Sequence, residues 1–84
     1  MNTLEILNAL RSQLVQVKPT LPADMPAHDA FRQVWSLDSL ELVEFVARIE
    51  QKFQLIIPDA DLELFTDLQS TAGYISSRLD KTHG

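Results

Sequence analysis

The feature that most constrains the fold is an apolar stripe in residues 39–53, where large side chains recur at spacings of three and four. The stripe consists of Leu42, Phe45, Val46, Ile49 and Phe53. This spacing puts them on one face of an α-helix and does not fit the period of two that a strand requires. Asp38 or Ser39 can cap the helix, and Glu41 lies in the first turn, where negative charge is favourable. The sequence therefore predicts an amphipathic helix over Ser39–Phe53.

A similar stripe predicts a first helix over Thr3–Val17. Its inward residues are Leu7, Leu10, Leu14 and Val17. Asn2 is placed to cap this helix, and Glu5 lies three residues later, as in a capping box. The helix must end before Pro19, because proline disfavours helical geometry in the residue that precedes it.

A long, proline-marked loop should connect these two helices. Near its end lie three large apolar residues, Phe31, Val34 and Trp35. We expect all three to pin the end of the loop to the core, through a short helical turn over residues 29–33.

Two more helices are predicted beyond the second one. Residues 59–65 predict a brief helix with Leu62 and Phe65 turned inward, and Asp67 can cap a last helix over residues 68–79. The inward residues of that last helix are Leu68, Ala72, Ile75 and Leu79. No segment alternates with the period of a strand, so the pattern predicts an all-α fold, a small four-helix bundle of three long helices and a short one.

Length and composition allow one small domain. The chain has 84 residues, no cysteine and no apolar run long enough to cross a bilayer, which excludes a disulfide scaffold and membrane insertion. A chain of this size buries roughly 60% of the surface of its unfolded form, enough for a single core. We expect one monomeric domain over residues 1–84, with a short flexible tail after about residue 79. The N-terminus does not resemble a signal peptide, so the cytoplasm is the expected compartment.

The charge is acidic and unevenly distributed. Twelve acidic residues against seven lysines and arginines give a formal net charge of -5, which disfavours nucleic acid and anionic membranes as partners and favours basic proteins. From Asp38 to Asp67 there are eight acids against only two bases, Arg48 and Lys52. We expect this half of the chain to carry the interaction surface.

No residue spacing in the sequence fits a metal site or a catalytic site. The acids after Pro58 imitate the start of a calcium-binding loop, but Leu64 stands where glycine is needed and Ser70 where the closing glutamate is needed. His28 and His83 are isolated, so we expect surface histidines, no metal site and no nucleophilic constellation. Self-contained catalysis is not expected.

One short motif changes the interpretation of the second helix. Asp38-Ser39-Leu40 alone is a weak signal, because a serine at a helix start usually serves as an N-cap. The wider pattern is formed by Leu37-Asp38-Ser39-Leu40-Glu41-Leu42-Val43-Glu44, Phe53, Ile57-Pro58-Asp59, residues 66–69 and Tyr74-Ile75. This pattern resembles the acyl carrier protein family over roughly residues 31–79, and the preceding helix and loop have that family's order and size.

The resemblance implies that Ser39 carries a 4′-phosphopantetheine arm, whose thiol holds an acyl group as a thioester. A phosphopantetheinyl transferase would install the arm from coenzyme A, so the carrier needs no catalytic residues of its own. A helix N-terminus suits the new phosphodiester, because free N–H groups and the helix dipole attract anions.

The resemblance also implies two sets of residues around Ser39. The first would dock basic patches on acyl-loading and acyl-processing enzymes, and comprises Asp38, Leu40, Glu41, Val43, Glu44 and Glu50. The second would line an acyl pocket between the second and third helices, and comprises Phe45, Val46, Ile49, Ile57, Leu62 and Phe65. Because several of these pocket residues are large, we expect short or polar cargo to stay largely outside on its arm.

Departures from the family pattern leave the pathway open. Val34-Trp35-Ser36 stands where typical members have Asp-Leu-Gly, and Arg48 and Lys52 dilute the acidic helix. These changes favour a dedicated carrier of a polyketide-like or other specialised acyl pathway over the housekeeping fatty-acid carrier. A D-alanyl or aminoacyl carrier is an alternative. An unmodified acidic adaptor, in which Ser39 is only a cap and the acidic face binds a basic partner, is another.

Overall fold

A computed structural model describes the backbone of residues 2–83 and the side chains of residues 2–80. It contains three α-helices, α1 (Thr3–Val17), α2 (Ser39–Phe53) and α3 (Leu68–His83), with a 3₁₀ helix (Asp59–Leu64) between α2 and α3. Residues 2–83 contain no strand. The predicted all-α fold of three long helices and a short one is confirmed, as are the bounds of α1 and α2.

The end of α3 differs from the prediction. The backbone remains helical to His83 instead of stopping near residue 79, because no proline or glycine interrupts residues 74–83. The backbone of His83 therefore belongs to α3, while Gly84 lies outside the described residues. None of the helices in the described part of the chain is long and apolar enough to cross a membrane.

The core forms where α1 packs against both α2 and α3. All five predicted inward residues of α2 are buried, and so are three of the four in α3, with Leu79 partly buried. In α1 the buried residues are Ile6, Leu10 and Leu14. The predicted stripe did not include Ile6, whereas Leu7 and Val17 are partly buried and pack against the core.

The long loop between α1 and α2 contributes to the core more than expected. Leu21, Met25 and Phe31 are buried, while Trp35 is partly buried. Val34 is 50% exposed, so the expectation that it pins the loop was wrong. Two backbone bonds tie the loop to the start of α3, from the Phe31 N–H to the Thr66 carbonyl (2.9 Å) and from the Gln69 N–H to the Ala27 carbonyl (3.0 Å).

The predicted helical turn over residues 29–33 is absent as a helix. Residues 31–35 form successive turns instead. One helix-like bond is present, from the Val34 N–H to the Ala30 carbonyl (3.0 Å). Phe31 is buried and Trp35 is partly buried against the core, so the segment is anchored by these two side chains and not by Val34.

The 3₁₀ helix is held by a polar clamp made of Asp61, Tyr74 and Arg78. The Tyr74 hydroxyl donates to the Asp61 carboxylate (2.6 Å) and accepts from the Arg78 guanidinium (2.8 Å). Arg78 also donates to the Ile56 carbonyl (2.9 Å) in the link after α2. Desolvation, followed by the bond to Asp61, raises the pKa of Tyr74. Phe65 packs edge-on against the Tyr74 ring at 5.0 Å, so the clamp fixes the 3₁₀ helix to α3.

Candidate functional site at the start of α2

The first turn of α2 is closed by a capping box. Asp38, in extended geometry, accepts the Glu41 N–H (2.7 Å), and the Glu41 carboxylate accepts the Asp38 N–H (3.0 Å). The sequence left the cap open between Asp38 and Ser39, and the structure assigns it to Asp38. Ser39 is therefore the first helical residue, and its hydroxyl takes no part in capping.

The Ser39 side chain is exposed at this helix start. Its hydroxyl oxygen lies 3.4 Å from an Nη atom of Arg32, a weak contact from the preceding loop. The capping box uses the N–H of Glu41, and the Leu42 N–H bonds to the Asp38 carbonyl. Within the described residues, the backbone N–H groups of Ser39 and Leu40 have no acceptor, as expected for the first helical positions.

The loop that delivers Ser39 is fixed by Lys18. Its ammonium group donates to the carbonyls of Trp35 and Ser36, at 3.1 Å each, and lies 3.8 Å from the Glu41 carboxylate. Ser36 adopts a left-handed conformation with φ 56°. Lys18 thus joins the end of α1 to the start of α2, a role that its position before a proline did not signal in the sequence.

A groove of about 350 Å³ opens beside Ser39. Its apolar walls come from the loop, α2 and the segment around the 3₁₀ helix, namely Phe31, Leu37, Leu42, Val43, Leu62 and Phe65. Arg32, Gln33 and Glu63 add polar groups to its lining. We call this cavity the Ser39 groove.

The six residues expected to line an acyl pocket divide into two groups. Leu62 and Phe65 line the Ser39 groove. The other four do not line it and are buried in the core: Phe45, Val46, Ile49 and Ile57. Side chains therefore fill the region between α2 and the 3₁₀ helix where the acyl pocket was expected. The open space is the Ser39 groove, which lies nearer to Ser39.

Three of the residues expected to dock partners are well exposed beside Ser39. Leu40 is 81% exposed and Val43 52% exposed, and their spacing of three residues puts them on the same side of α2. Glu44 is exposed, and its carboxylate contacts Arg48 one turn later at 3.3 Å. Leu40, Val43 and Glu44 thus form an exposed patch next to Ser39.

The other three expected docking residues make backbone contacts that stabilise the fold. Asp38 and Glu41 form the capping box. Glu50 accepts the Ile57 N–H at 2.9 Å, far from the start of α2. These carboxylates therefore fix the two ends of α2, which the residue spacing alone could not reveal.

The site shows no arrangement suited to metal binding. Among the described residues, no group of three or more His, Cys, Asp or Glu side chains could hold a metal ion. His28 is exposed, and the His83 side chain lies outside the described residues. The chemistry of this site thus centres on one exposed hydroxyl beside a groove, in a small helical domain.

Comparisons with known proteins identify the family. The sequence profile of the family described as "Phosphopantetheine attachment site" matches residues 8–75. An acyl carrier protein of Bdellovibrio bacteriovorus is 35% identical over 57 residues, which cover 68% of this chain and 73% of that protein.

Two further relatives match over shorter stretches. The acyl carrier protein of Campylobacter concisus is 42% identical over 38 residues, 45% of this chain and 49% of that protein. That of Campylobacter jejuni is 38% identical over 40 residues, 48% of this chain and 52% of that protein. The chain thus spans about half the length of these two relatives. The profile covers most of the chain, and the chain is 35% identical to an acyl carrier protein over 73% of that protein. The chain therefore belongs to the acyl carrier protein family, and its cofactor is 4′-phosphopantetheine. The predicted family and cofactor are confirmed.

The groups around Ser39 fit this cofactor chemically. A phosphodiester needs hydrogen-bond donors, and here the N–H groups of Ser39 and Leu40 and the Arg32 guanidinium surround an exposed hydroxyl. The Ser39 groove offers an apolar surface to an arm that extends from this point.

Proposed function

We propose that Ser39 carries the 4′-phosphopantetheine arm and that the protein presents acyl groups to partner enzymes. The observation that carries this proposal is the exposed Ser39 hydroxyl at the first position of α2, which the Asp38 cap leaves free. When attached, the arm supplies a thiol that holds the cargo as a thioester. The chain itself acts as a carrier and not as a catalyst.

The protein's own residues hold and display the attachment point. The capping box of Asp38 and Glu41 fixes the first turn, and Lys18 fixes the loop before it. Preorganised backbone presents the hydroxyl in one orientation, which lowers the cost of binding a transferase.

The exposed patch of Leu40, Val43 and Glu44 supports docking to basic enzymes. Its apolar side chains provide contact area, while exposed acids speed encounter and orient the partner without making the complex permanent. The proposed partners are a phosphopantetheinyl transferase and acyl-loading and acyl-processing enzymes with basic docking patches.

For the cargo, we propose a specialised acyl pathway and a short or polar acyl group that stays largely outside the core. Support comes from Phe45, Val46 and Ile49, which fill the interior between α2 and its neighbours. Moving them apart would re-expose apolar area at roughly 25 cal/mol per Å². Fatty-acid and aminoacyl carriers are the competing candidates within the same chemistry.

Intact mass spectrometry tests the attachment. Incubation with coenzyme A, magnesium and a broad-specificity transferase should add one arm to the wild type, and peptide mapping should locate it on Ser39. Ser77→Ala is the control, because Ser77 is also an exposed helical serine, and this variant should gain one arm as the wild type does. A chain that gains no mass would support the acidic adaptor, although Asp38 already supplies the cap that this alternative assigned to Ser39.

A further inference from the structure

Arg32 is a cation without an acidic partner, placed directly beside the attachment serine. An Nη atom lies 3.4 Å from the Ser39 hydroxyl oxygen, and the side chain is exposed. Among the described residues, no carboxylate lies within ion-pairing distance of Arg32. Two other cations around α2 are paired, Lys18 with Glu41 at 3.8 Å and Arg48 with Glu44 at 3.3 Å.

We propose that Arg32 is a positioning residue that binds the phosphodiester of the arm and orients the arm towards the Ser39 groove. The inference rests on the proposed attachment at Ser39. After attachment, the Ser39 oxygen becomes an ester oxygen, and the two unesterified oxygens of the phosphate lie two bonds beyond it, on the phosphorus atom. A guanidinium that already contacts the ester oxygen can donate to them, and its planar fork suits phosphate geometry.

The local charge explains why such a cation matters. The phosphodiester adds a negative charge next to Asp38, in a chain whose net charge is already -5. The Asp38 carboxylate is held in place by its bond to the Glu41 N–H, so it cannot turn away from the phosphate. Arg32 offsets this repulsion from the loop side, while the N–H groups of Ser39 and Leu40 act from the helix side.

The position of Arg32 also gives the arm a direction. Arg32 and Gln33 line the Ser39 groove together with Ser39 itself and the Leu42 and Val43 side chains of α2. A phosphate held by Arg32 and Ser39 would therefore adjoin this groove. The branched, apolar carbons that follow the phosphate in pantetheine would meet the groove before they meet bulk water.

The test compares apo and holo forms of the wild type, Arg32→Gln and Arg48→Gln. Arg48→Gln is the control, because it removes an equal charge from α2 without touching Ser39. In the wild type, arm attachment should shift the Arg32 Nε–H resonance. The ³¹P resonance of the arm should differ between the wild type and Arg32→Gln and stay unchanged in Arg48→Gln. Attachment should also raise Tm by roughly 1–8 °C more in the wild type than in Arg32→Gln, the range for an exposed charged pair in a small domain.

Mass spectrometry separates failure of this inference from failure of the proposed function. If the wild type gains no arm at Ser39, the attachment itself is wrong. If all three proteins carry the arm and share the same ³¹P resonance and the same gain in Tm, only the Arg32 assignment is overturned. Excess transferase ensures that a variant with slow arm attachment is still fully converted to the holo form. An unmoved Arg32 Nε–H resonance in the wild-type holo protein overturns the Arg32 assignment without any variant.

Discussion

The two ends of α2 are built from similar parts and serve different purposes. At each end a glutamate accepts a backbone N–H from outside the helix, Glu41 from Asp38 and Glu50 from Ile57. At the C-terminal end, Phe53 and Ile57 on either side of the helix end are buried. At the N-terminal end, Ser39 and Leu40 follow the cap directly and both remain in solvent.

This difference shows that acidity alone does not define the docking surface. Of the three glutamates of α2, two fix the backbone, whereas Glu44 contacts only the partly buried Arg48 among the described residues. The function proposed for α2 is therefore concentrated in its first two turns. The far end stabilises the fold.

Ser39→Ala should abolish arm attachment completely and leave stability almost unchanged. Because Asp38 caps α2, the substitution removes no capping bond, and we expect a change of less than about 0.5 kcal/mol. Asp38→Ala removes the cap and should cost about 1 kcal/mol. Intact mass and urea unfolding measure the two effects separately. If Ser39→Ala lost as much stability as Asp38→Ala, Ser39 and not Asp38 alone would be shown to cap α2.

Glu50→Ala should destabilise the protein by about 1–2 kcal/mol without slowing arm attachment. The Ile57 N–H is partly buried and would lose its charged acceptor. Glu50→Gln keeps an acceptor oxygen and should cost less. Urea unfolding gives the stability of each variant, and the loading rate at a temperature where all remain folded gives the function. Slower arm attachment to folded Glu50→Gln would show that the docking surface reaches the C-terminal end of α2.

How far the sequence could predict this division depends on the range of the contacts involved. The stripes of α1 and α2 predicted both helices, because helical periodicity is a local property. The roles of Glu50 and Lys18 were not predictable, since their partners lie in other elements. The Asp-Ser-Leu motif pointed to Ser39 but could not decide which residue caps the helix.

The burial of residues in the loop between α1 and α2 could not be predicted from the sequence either. Met25 is fully buried although it lies between prolines, and Val34 is half exposed although Phe31 and Trp35 are not. No period exists in such a segment, so burial follows from the long-range bonds that tie the loop to α3. The contact between Arg32 and Ser39 arises in the same way, from the path of the loop.

Charge reversal should distinguish the two glutamates of the first turns. Glu44→Lys should slow association with a basic transferase by a factor of roughly 3–10 at low salt and leave stability nearly unchanged, because its contact with Arg48 is exposed. Glu41→Lys should slow association and also lower stability, because it breaks the capping box. Stopped-flow association at several salt concentrations checks the first effect, which should shrink as ionic strength rises. An unchanged association rate for Glu44→Lys at low salt would show that the Glu44 carboxylate is solvated and takes no part in docking.

The smallest expected effects concern the two left-handed residues that flank α2. Ser36, before the helix, has φ 56°, and Gln54, after it, has φ 57°. A side chain in this conformation costs roughly 1–2 kcal/mol, while glycine loses more backbone entropy on folding. Ser36→Gly and Gln54→Gly should therefore each stabilise the protein by about 0.5–1 kcal/mol, as measured by urea unfolding. If the N-terminal turn matters for presenting Ser39, Ser36→Gly should also change the loading rate, whereas Gln54→Gly should not. Equal loading rates for both variants would show that the Lys18 bonds to Trp35 and Ser36 hold this turn whichever residue occupies position 36.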